Sequence, residues 1–385
     1  IDISAAQALP GVVAVLTGDD CASTFGVLPI TEDEYALAKG RVRYKGDPIA
    51  AVAAIDEETA LRALALIKVD VEELPAYYTP TEARRPGAVD IHENRPGNLL
   101  RDQAYELGDV DGCFASADLV SEKAFSSTEV IHMQLERNAA LADYDSIRGR
   151  LTLQSVSQVP YYLHLSLAQC LDMDRSRIHL IKPFVGGGFG ARAQALNFEI
   201  IAAMLAKAAG GKVRVEQSRE DCFLSHRGRP QSELKIKLGL KKDGEITGCS
   251  AEIIQAGGAY SSYGIITILY AGAAINGLYK MPAFRYQGNR VFTNLPACGA
   301  MRGHGTVATR FAFETLMSEM AEELGLDPFE VRRKNLLTVP CETINGVKIN
   351  SYGLPECLDW VEMASGWKDR FGKLPPKGRI RRGLG

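Results

Sequence analysis

None of the eight cysteines in this 385-residue chain stands in a C-x-x-C pair. Zinc ribbons and iron–sulfur clusters usually draw on such pairs, so any iron–sulfur centre serving this protein belongs on another chain. Cys21, Cys113, Cys170, Cys222, Cys249, Cys298, Cys341 and Cys357 are scattered, as in a chain kept in a reducing cytosol. Charge of either sign is not in excess: 44 Lys and Arg against 47 Asp and Glu leave −3. A nucleic acid or an anionic membrane surface would find no basic field here. No apolar run reaches the roughly 20 residues of a membrane helix. The most apolar segment, GIITILYAGAAINGLY from Gly264 to Tyr279, holds three glycines and an Asn and reads as buried core. The first residues, IDISAAQALPGV, do not have the charged-then-apolar layout of a signal peptide, and no fixed-period repeat or low-complexity tract is present. These absences leave a cytoplasmic protein of two or three structural units, with neither nucleic acid nor membrane as partner. The chain starts on Ile1 and stops at GRIRRGLG, so both ends read as cut.

What is present reads as an α+β fold. GVVAVLT and DPIAAVAAI are strand-like runs bounded by turn residues. DEETALRALALIKV follows as a helix started by Asp56 or Glu57, and VDVEEL reads as a further strand. Residues 1–80 thus form a small α+β domain. Residues 81–109, rich in Pro, Gly and charge without period, read as an irregular connector. In 110–385, AFSSTEVIHMQLE, AALADYD and RLTLQSVSQ read as consecutive strands, YYLHLSLAQCLDM as a helix, and RIHLIKPFV as a strand entering a glycine loop. NFEIIAAMLAKAAGG is a helix closed by two glycines, KKDGE a hairpin turn between strands, FRYQGNRVFTN a strand, and the segment from Phe311 to Leu337 is helical.

The loop KPFVGGGFGAR, from Lys182 to Arg192, satisfies G-x-G-x-x-[GA], follows a strand and stands before a helix. Glu216 ends the next strand where a ribose-binding acid would stand in a dinucleotide fold. The antiparallel strands around the loop argue against that fold. Two readings remain: glycines that let strand and helix pack closely, or a loop whose backbone amides approach an anionic or oxo-bearing ligand, with Phe189 as an apolar wall. A second loop, TNLPACGAMRGHGT from Thr293 to Thr306, combines small residues with one Arg and one His, and favours two walls of one pocket.

Taken in order, PGVVAVLTGDD, VRYKGDPIAAVAA, HMQLERNAALADYD, SQVPYY, VGGGFGAR and NLPACGAMRGHG resemble the large, molybdenum-cofactor subunit of the xanthine oxidase family. The resemblance runs through nearly the whole chain, with Arg137 where the family's LEP segment has proline. It implies a small α/β-hammerhead-like domain followed by the first half of a larger mixed α+β molybdopterin-binding region. Within the family, CGAMRGHGT, SYGIITILY, FLSHRGRP, LGLKKDG and SYGLPECL are most similar to 4-hydroxybenzoyl-CoA reductase, which reductively removes a phenolic hydroxyl from an aromatic acyl-CoA. That implies a molybdopterin, of the cytosine dinucleotide form, on this subunit. It also implies two [2Fe–2S] clusters on a second subunit, FAD with a [4Fe–4S] cluster on a third, and a low-potential donor such as ferredoxin.

Carried over position by position, Gln158 is the amide that hydrogen-bonds a molybdenum oxo ligand. Gly187, Gly188, Phe189 and Gly190 form the loop beside metal and pterin, and Arg302 is the arginine near the cofactor. No side chain ligates the metal directly. The substrate pocket would be lined by Ala193, Tyr270 and His304, with Tyr270 and His304 as candidate catalytic groups. Ala193 stands where purine enzymes have a glutamate, and Tyr270 where they have an arginine, so an aromatic ring in a Tyr-lined slot is implied rather than a purine. Gly303, directly after Arg302, stands where carbon monoxide dehydrogenases carry cysteine. The family's catalytic glutamate lies far downstream, in a half that is not in this sequence. The chain is therefore expected to be an N-terminal half that neither keeps molybdenum nor turns over alone.

Overall fold

The computed structural model describes residues 1–375 and 377–384. Strands β1 (Val12–Thr17) and β2 (Ala50–Ala54) pair antiparallel. Helix α1 (Glu57–Leu66) starts where the sequence signal stands: the Asp56 carboxylate accepts from the Thr59 amide at 2.8 Å, satisfying a donor that a helix end leaves open. Ala6, Val15 and Ala63 are the core of this small domain. VDVEEL is not a strand. Residues 69–74 are exposed and pair with no other segment among the described residues, the nearest ladder contact being the isolated bridge of Asp2 with Lys68. Their alternation has no core face to answer to.

Apart from a short two-stranded pair, Cys341–Glu342 with Lys348–Ile349, nine further strands follow among the described residues: β3 (Leu99–Leu107), β4 (Leu119–Ser127), β5 (Ala139–Asp145), β6 (Arg150–Ser155), β7 (Ile178–Ile181), β8 (Lys212–Glu216), β9 (Ser232–Leu240), β10 (Ile246–Gly258) and β11 (Phe284–Phe292). They sort into a four-stranded sheet, β7-β6-β5-β8, and a five-stranded one, β3-β11-β10-β9-β4. The stretch 81–109 is therefore not wholly irregular, because it ends in β3. As an edge strand β3 exposes Arg101 and Asp102 to solvent, which masks the apolar alternation a buried strand would show.

The strand expected through Glu136 stops at Ser127. Beyond it Val130 forms an isolated bridge with Arg229, and the carbonyls that follow go to arginine side chains: Arg219 donates to Gln134 and Leu135 at 3.0 and 2.6 Å, and Arg192 to Glu136 and Arg137 at 3.1 and 3.2 Å. KKDGE does join an antiparallel hairpin of β9 and β10. Two pairs run parallel, β6 with β7 and β10 with β11, each joined by a helical crossover as parallel geometry requires.

Those crossovers are α2 (Pro160–Leu171) and, following α3 (Asn197–Ala209), α4 (Gly264–Ala273). Helix α3 is apolar on every side because it is covered on every side: Ile200, Ala202, Ala203 and Ala206 are sealed between the four-stranded sheet and β1–β2. It ends on Gly210 at φ +67°, the left-handed cap that glycine tolerates. The five-stranded sheet packs Ile236 and Leu238 against Ile268 of α4 and against Phe313 and Leu316 of α5 (Val307–Glu323); α6 (Pro328–Lys334) follows. Among the described residues no helix is long and apolar enough to cross a membrane.

Candidate cofactor site

The glycine loop leaves β7 but does not open α3. That helix begins at Asn197, and the Glu199 carboxylate accepts from the N–H of Leu196, the residue before it, at 2.9 Å. Arg192, Gln194, Ala195 and Leu196, all buried, fill the interval. The loop therefore does not run straight into the N-terminus of α3. Glu216, the would-be ribose ligand, is ion-paired to Arg137 and Arg214. Both findings remove the dinucleotide reading.

Gln158 is held against this loop. Its side-chain oxygen accepts from the amides of Gly190 at 3.0 Å and Arg192 at 3.3 Å, and its own N–H donates to the Arg192 carbonyl at 2.8 Å. Two donors on one oxygen settle which way the amide points. The NH₂ end is left facing outward with no protein acceptor among the described residues. The backbone amides of Gly187, Gly188 and Phe189 also have no protein acceptor there.

Two of the glycines are required by packing, whatever else approaches the loop. A Cβ on Gly188 would lie 2.5 Å from the Gln158 side-chain oxygen, and one on Gly190 would lie 2.3 Å from the Ala300 carbonyl. Gly187 and Gly190 sit at φ +104° and +107°, and Phe189 itself at +53°. Phe189 keeps a half-exposed ring at the crest.

Arg192 closes the loop from behind. Buried, it reaches the Glu136 carboxylate at 3.2 Å and the Glu136 and Arg137 carbonyls. Burial lowers its pKa, opposed by Glu136. Sequence reasoning took Arg192 only as the end of a motif. Its signal was a lone arginine heading a run of small and apolar residues.

The second loop docks on the first. Arg302 N–H donates to the Phe189 carbonyl at 2.8 Å, and His132 Nε2 holds the Ala300 carbonyl at 2.8 Å. The exposed Arg302 guanidinium forms no ion pair among the described residues, so it is not tied into a surface salt bridge. His304 stands two residues on, partly buried. Its Nε2 lies 2.6 Å from Thr267 Oγ1, and its ring meets Tyr263 and Tyr270 edge-on at 5.8 and 5.4 Å. Burial pushes its pKa from 6.5 to about 4, so the imidazole is neutral at physiological pH. Tyr270, on α4, is half exposed. Ala193 is partly buried, its amide bonded to Gly190 O at 3.1 Å. The structure thus brings Gln158, Phe189, Gly190 and Arg302 together in one contact set, and His304 with Tyr270 in a second that adjoins it. Sequence reasoning missed Thr267 and Tyr263. Their i, i+4 spacing at the start of an apolar helix was the available signal.

The small domain braces this region. Ser261, just before α4, donates from its hydroxyl to Asp33 at 2.6 Å and from its amide at 3.0 Å, while Ser262 donates to the Gln194 side chain at 2.6 Å. Glu34 forms a buried ion pair with Arg227, which also donates to Asn197 at 2.8 Å. Burial raises Asp33 to about 6.

The exposed groups that converge here are all donors: a primary amide, three backbone N–H groups and a guanidinium. Oxo, phosphate or pterin acceptors would satisfy them, and no protein group does. Among the described residues no cluster of three or more His, Cys, Asp or Glu side chains suits a metal ion.

A family model described as "Molybdopterin cofactor-binding domain" matches residues 91–336, and one described as "Aldehyde oxidase and xanthine dehydrogenase, a/b hammerhead domain" matches residues 1–75. The chain belongs to the xanthine dehydrogenase and aldehyde oxidase family. It is 33% identical over 392 residues to the putative xanthine dehydrogenase molybdenum-binding subunit XdhA of Escherichia coli (strain K12), covering 99% of this chain and 52% of that protein. It is 33% identical over 362 residues to the nicotinate dehydrogenase large molybdopterin subunit of Eubacterium barkeri, covering 93% and 84%. The solved quinoline 2-oxidoreductase of Pseudomonas putida 86 superposes with a TM-score of 0.88 at 29% identity, over 97% of this chain and 49% of that one. The aldehyde oxidoreductase of Desulfovibrio gigas gives 0.86 at 29%, over 96% and 42%. The chain spans about half the length of the curated relatives it matches first. Gln158, the glycine loop and Arg302 all lie within the residues matched by the molybdopterin cofactor-binding domain model.

Proposed function

We propose that this chain forms one wall of the molybdopterin site in an oxidoreductase that removes the phenolic hydroxyl of 4-hydroxybenzoyl-CoA by reduction. The observation that supports an aromatic substrate is the uncharged wall of Tyr263, Tyr270 and neutral His304, with Ala193 in place of an acid. The outward NH₂ of Gln158 and the amides of Gly187, Gly188 and Phe189 would donate to acceptors of the cofactor, and Arg302 would add a positive charge beside it. When bound, the molybdenum–pterin group supplies the electron-pair and oxygen chemistry. The net change converts a ring C–OH to C–H with two electrons and two protons, releasing water. The electrons would come from a reduced ferredoxin-type donor through an iron–sulfur subunit, with FAD and a [4Fe–4S] cluster on a further subunit. The cofactor would carry the cytosine dinucleotide, and the complex would work in the cytoplasm.

A second reading is hydroxylation of an aldehyde or an N-heterocycle. Relatives named for nicotinate, nicotine and quinoline favour it. One experiment separates the two. The assembled enzyme is given 4-hydroxybenzoyl-CoA with a reduced low-potential donor, and separately nicotinate or quinoline with an oxidising dye. Benzoyl-CoA formed only in the first supports reduction; turnover only in the second refutes it in favour of the heterocycle.

A further inference from the structure

His304 is commonly the kind of residue whose charge follows pH, but its surroundings here remove that freedom. Three contacts define its state. Thr267, four residues after Tyr263 on α4, turns its hydroxyl back to the Tyr263 carbonyl at 3.1 Å. A hydroxyl has one proton, so the oxygen that spends it on Tyr263 faces His304 Nε2, 2.6 Å away, as an acceptor. With the hydroxyl proton on the Tyr263 carbonyl, Nε2 is the nitrogen that carries the imidazole proton and Nδ1 the one with a lone pair. Nδ1 has no partner among the described residues, and it is not among the polar atoms sealed from the surface without one. Tyr263 and Tyr270 clamp the ring edge-on at 88° and 81°, which holds the plane in which that lone pair points.

We infer that His304 is a specificity-determining residue: a fixed, neutral hydrogen-bond acceptor, through Nδ1, for an O–H or N–H on the ring of the substrate. A protonated phenol or a ring N–H satisfies it. A ring ether, or a phenolate turned toward it, does not. This rests on the aromatic-substrate reading above and adds the polarity of one contact to it. Gly303 and Gly305 flank it on its own loop, Arg302 donates its amide to Phe189, and the charged group that bears on it from a neighbouring element, Arg290 of β11, opposes a second positive charge. Burial also keeps the ring uncharged at the pH of the cell.

The test uses the assembled, cofactor-loaded enzyme and two measurements. The first is equilibrium binding of 4-hydroxybenzoyl-CoA and of 4-methoxybenzoyl-CoA, which lacks the donor. The wild type should prefer the hydroxy form by about tenfold, the worth of one well-placed hydrogen bond. His304→Phe keeps a flat ring between the tyrosines and should erase the preference. The second is the ¹⁵N signature of His304 in enzyme labelled at histidine, identified by its loss in His304→Phe. It should show a neutral ring protonated at Nε2 from pH 5.5 to 7.5, and Thr267→Val should disturb it. An unchanged preference in His304→Phe would overturn the inference, as would an imidazolium or an Nδ1-protonated ring in that range. If the wild type binds neither thioester, the aromatic acyl-CoA reading fails, and the ¹⁵N measurement still decides the acceptor.

Discussion

Gly190→Ala tests the structural claim on which the site depends, that two loops are locked together through glycine backbone. The new Cβ would stand 2.3 Å from the Ala300 carbonyl oxygen, 2.7 Å from its carbon and 3.0 Å from Met301 Cα. All three are backbone atoms, so no rotamer change relieves the clash. The residue would also have to hold φ +107°, which costs an L-residue about 2 kcal/mol. Moving the loops apart by about an ångström breaks the Arg302 to Phe189 bond and strains the Gly190 to Gln158 bond, each worth about 1 kcal/mol. The combined cost is about 4 kcal/mol, or a fall in Tm of roughly 8 °C or more for a unit of this size. Gly210→Ala is the matched control, since Gly210 has φ +67° and nothing within 4 Å of its Cβ position. It should lose only about 1 kcal/mol. Calorimetry of the assembled enzyme reads the stability, and metal analysis reads the molybdenum, which Gly190→Ala should lose and Gly210→Ala should keep. If Gly190→Ala melts with the control and retains its molybdenum, the reasoning about the locked loops is wrong.

Glu34→Ala removes the partner of buried Arg227 and should cost about 3–5 kcal/mol by leaving an uncompensated charge; a urea midpoint within error of wild type would refute that. Glu199 is raised by burial from 4.5 to about 7. Its stabilising contribution is therefore complete below about pH 4.5 and fades as pH rises through about 7. Glu199→Gln should then lose less stability than wild type between pH 5 and pH 8, and parallel urea midpoints at the two pH values would contradict the assignment. Tyr270→Phe keeps the edge contact with His304 but removes the hydroxyl. Turnover of the full enzyme at the wild-type rate would exclude Tyr270 as a proton donor and leave it a packing wall.

Much of the scaffold was legible because local rules sufficed. Asp56 marks a helix start, Gly210 a helix end and KKDGE a hairpin, and each signal is read from a few neighbouring residues. Legibility stopped where backbone partners are remote in sequence. The segment after Ser127 looks strand-like, yet its carbonyls belong to Arg192 and Arg219. β3 was hidden because an edge strand needs no apolar alternation, and VDVEEL showed alternation without a partner strand. In the site, the order of Gln158, the glycine loop and Arg302 was visible as motif. The neutral state of His304 was not, since it depends on burial and on the nearby charge of Arg290, both set by the tertiary fold.

By itself the sequence determined the class of protein: an α+β chain with no paired cysteines and two glycine-bearing loops in a family-specific order. Composition and short motifs carry that information because they depend on nearest neighbours along the chain. Only the tertiary structure decided what the glycines are for and which donors are free. Gly188 and Gly190 make room for Gln158 and Ala300, residues about 30 and 110 positions away. The unpaired NH₂ of Gln158 and the amides of Gly187, Gly188 and Phe189 emerge only once every nearby acceptor has been placed. Whether a polar group is satisfied depends on all its neighbours in space, and that is a quantity no single stretch of sequence contains.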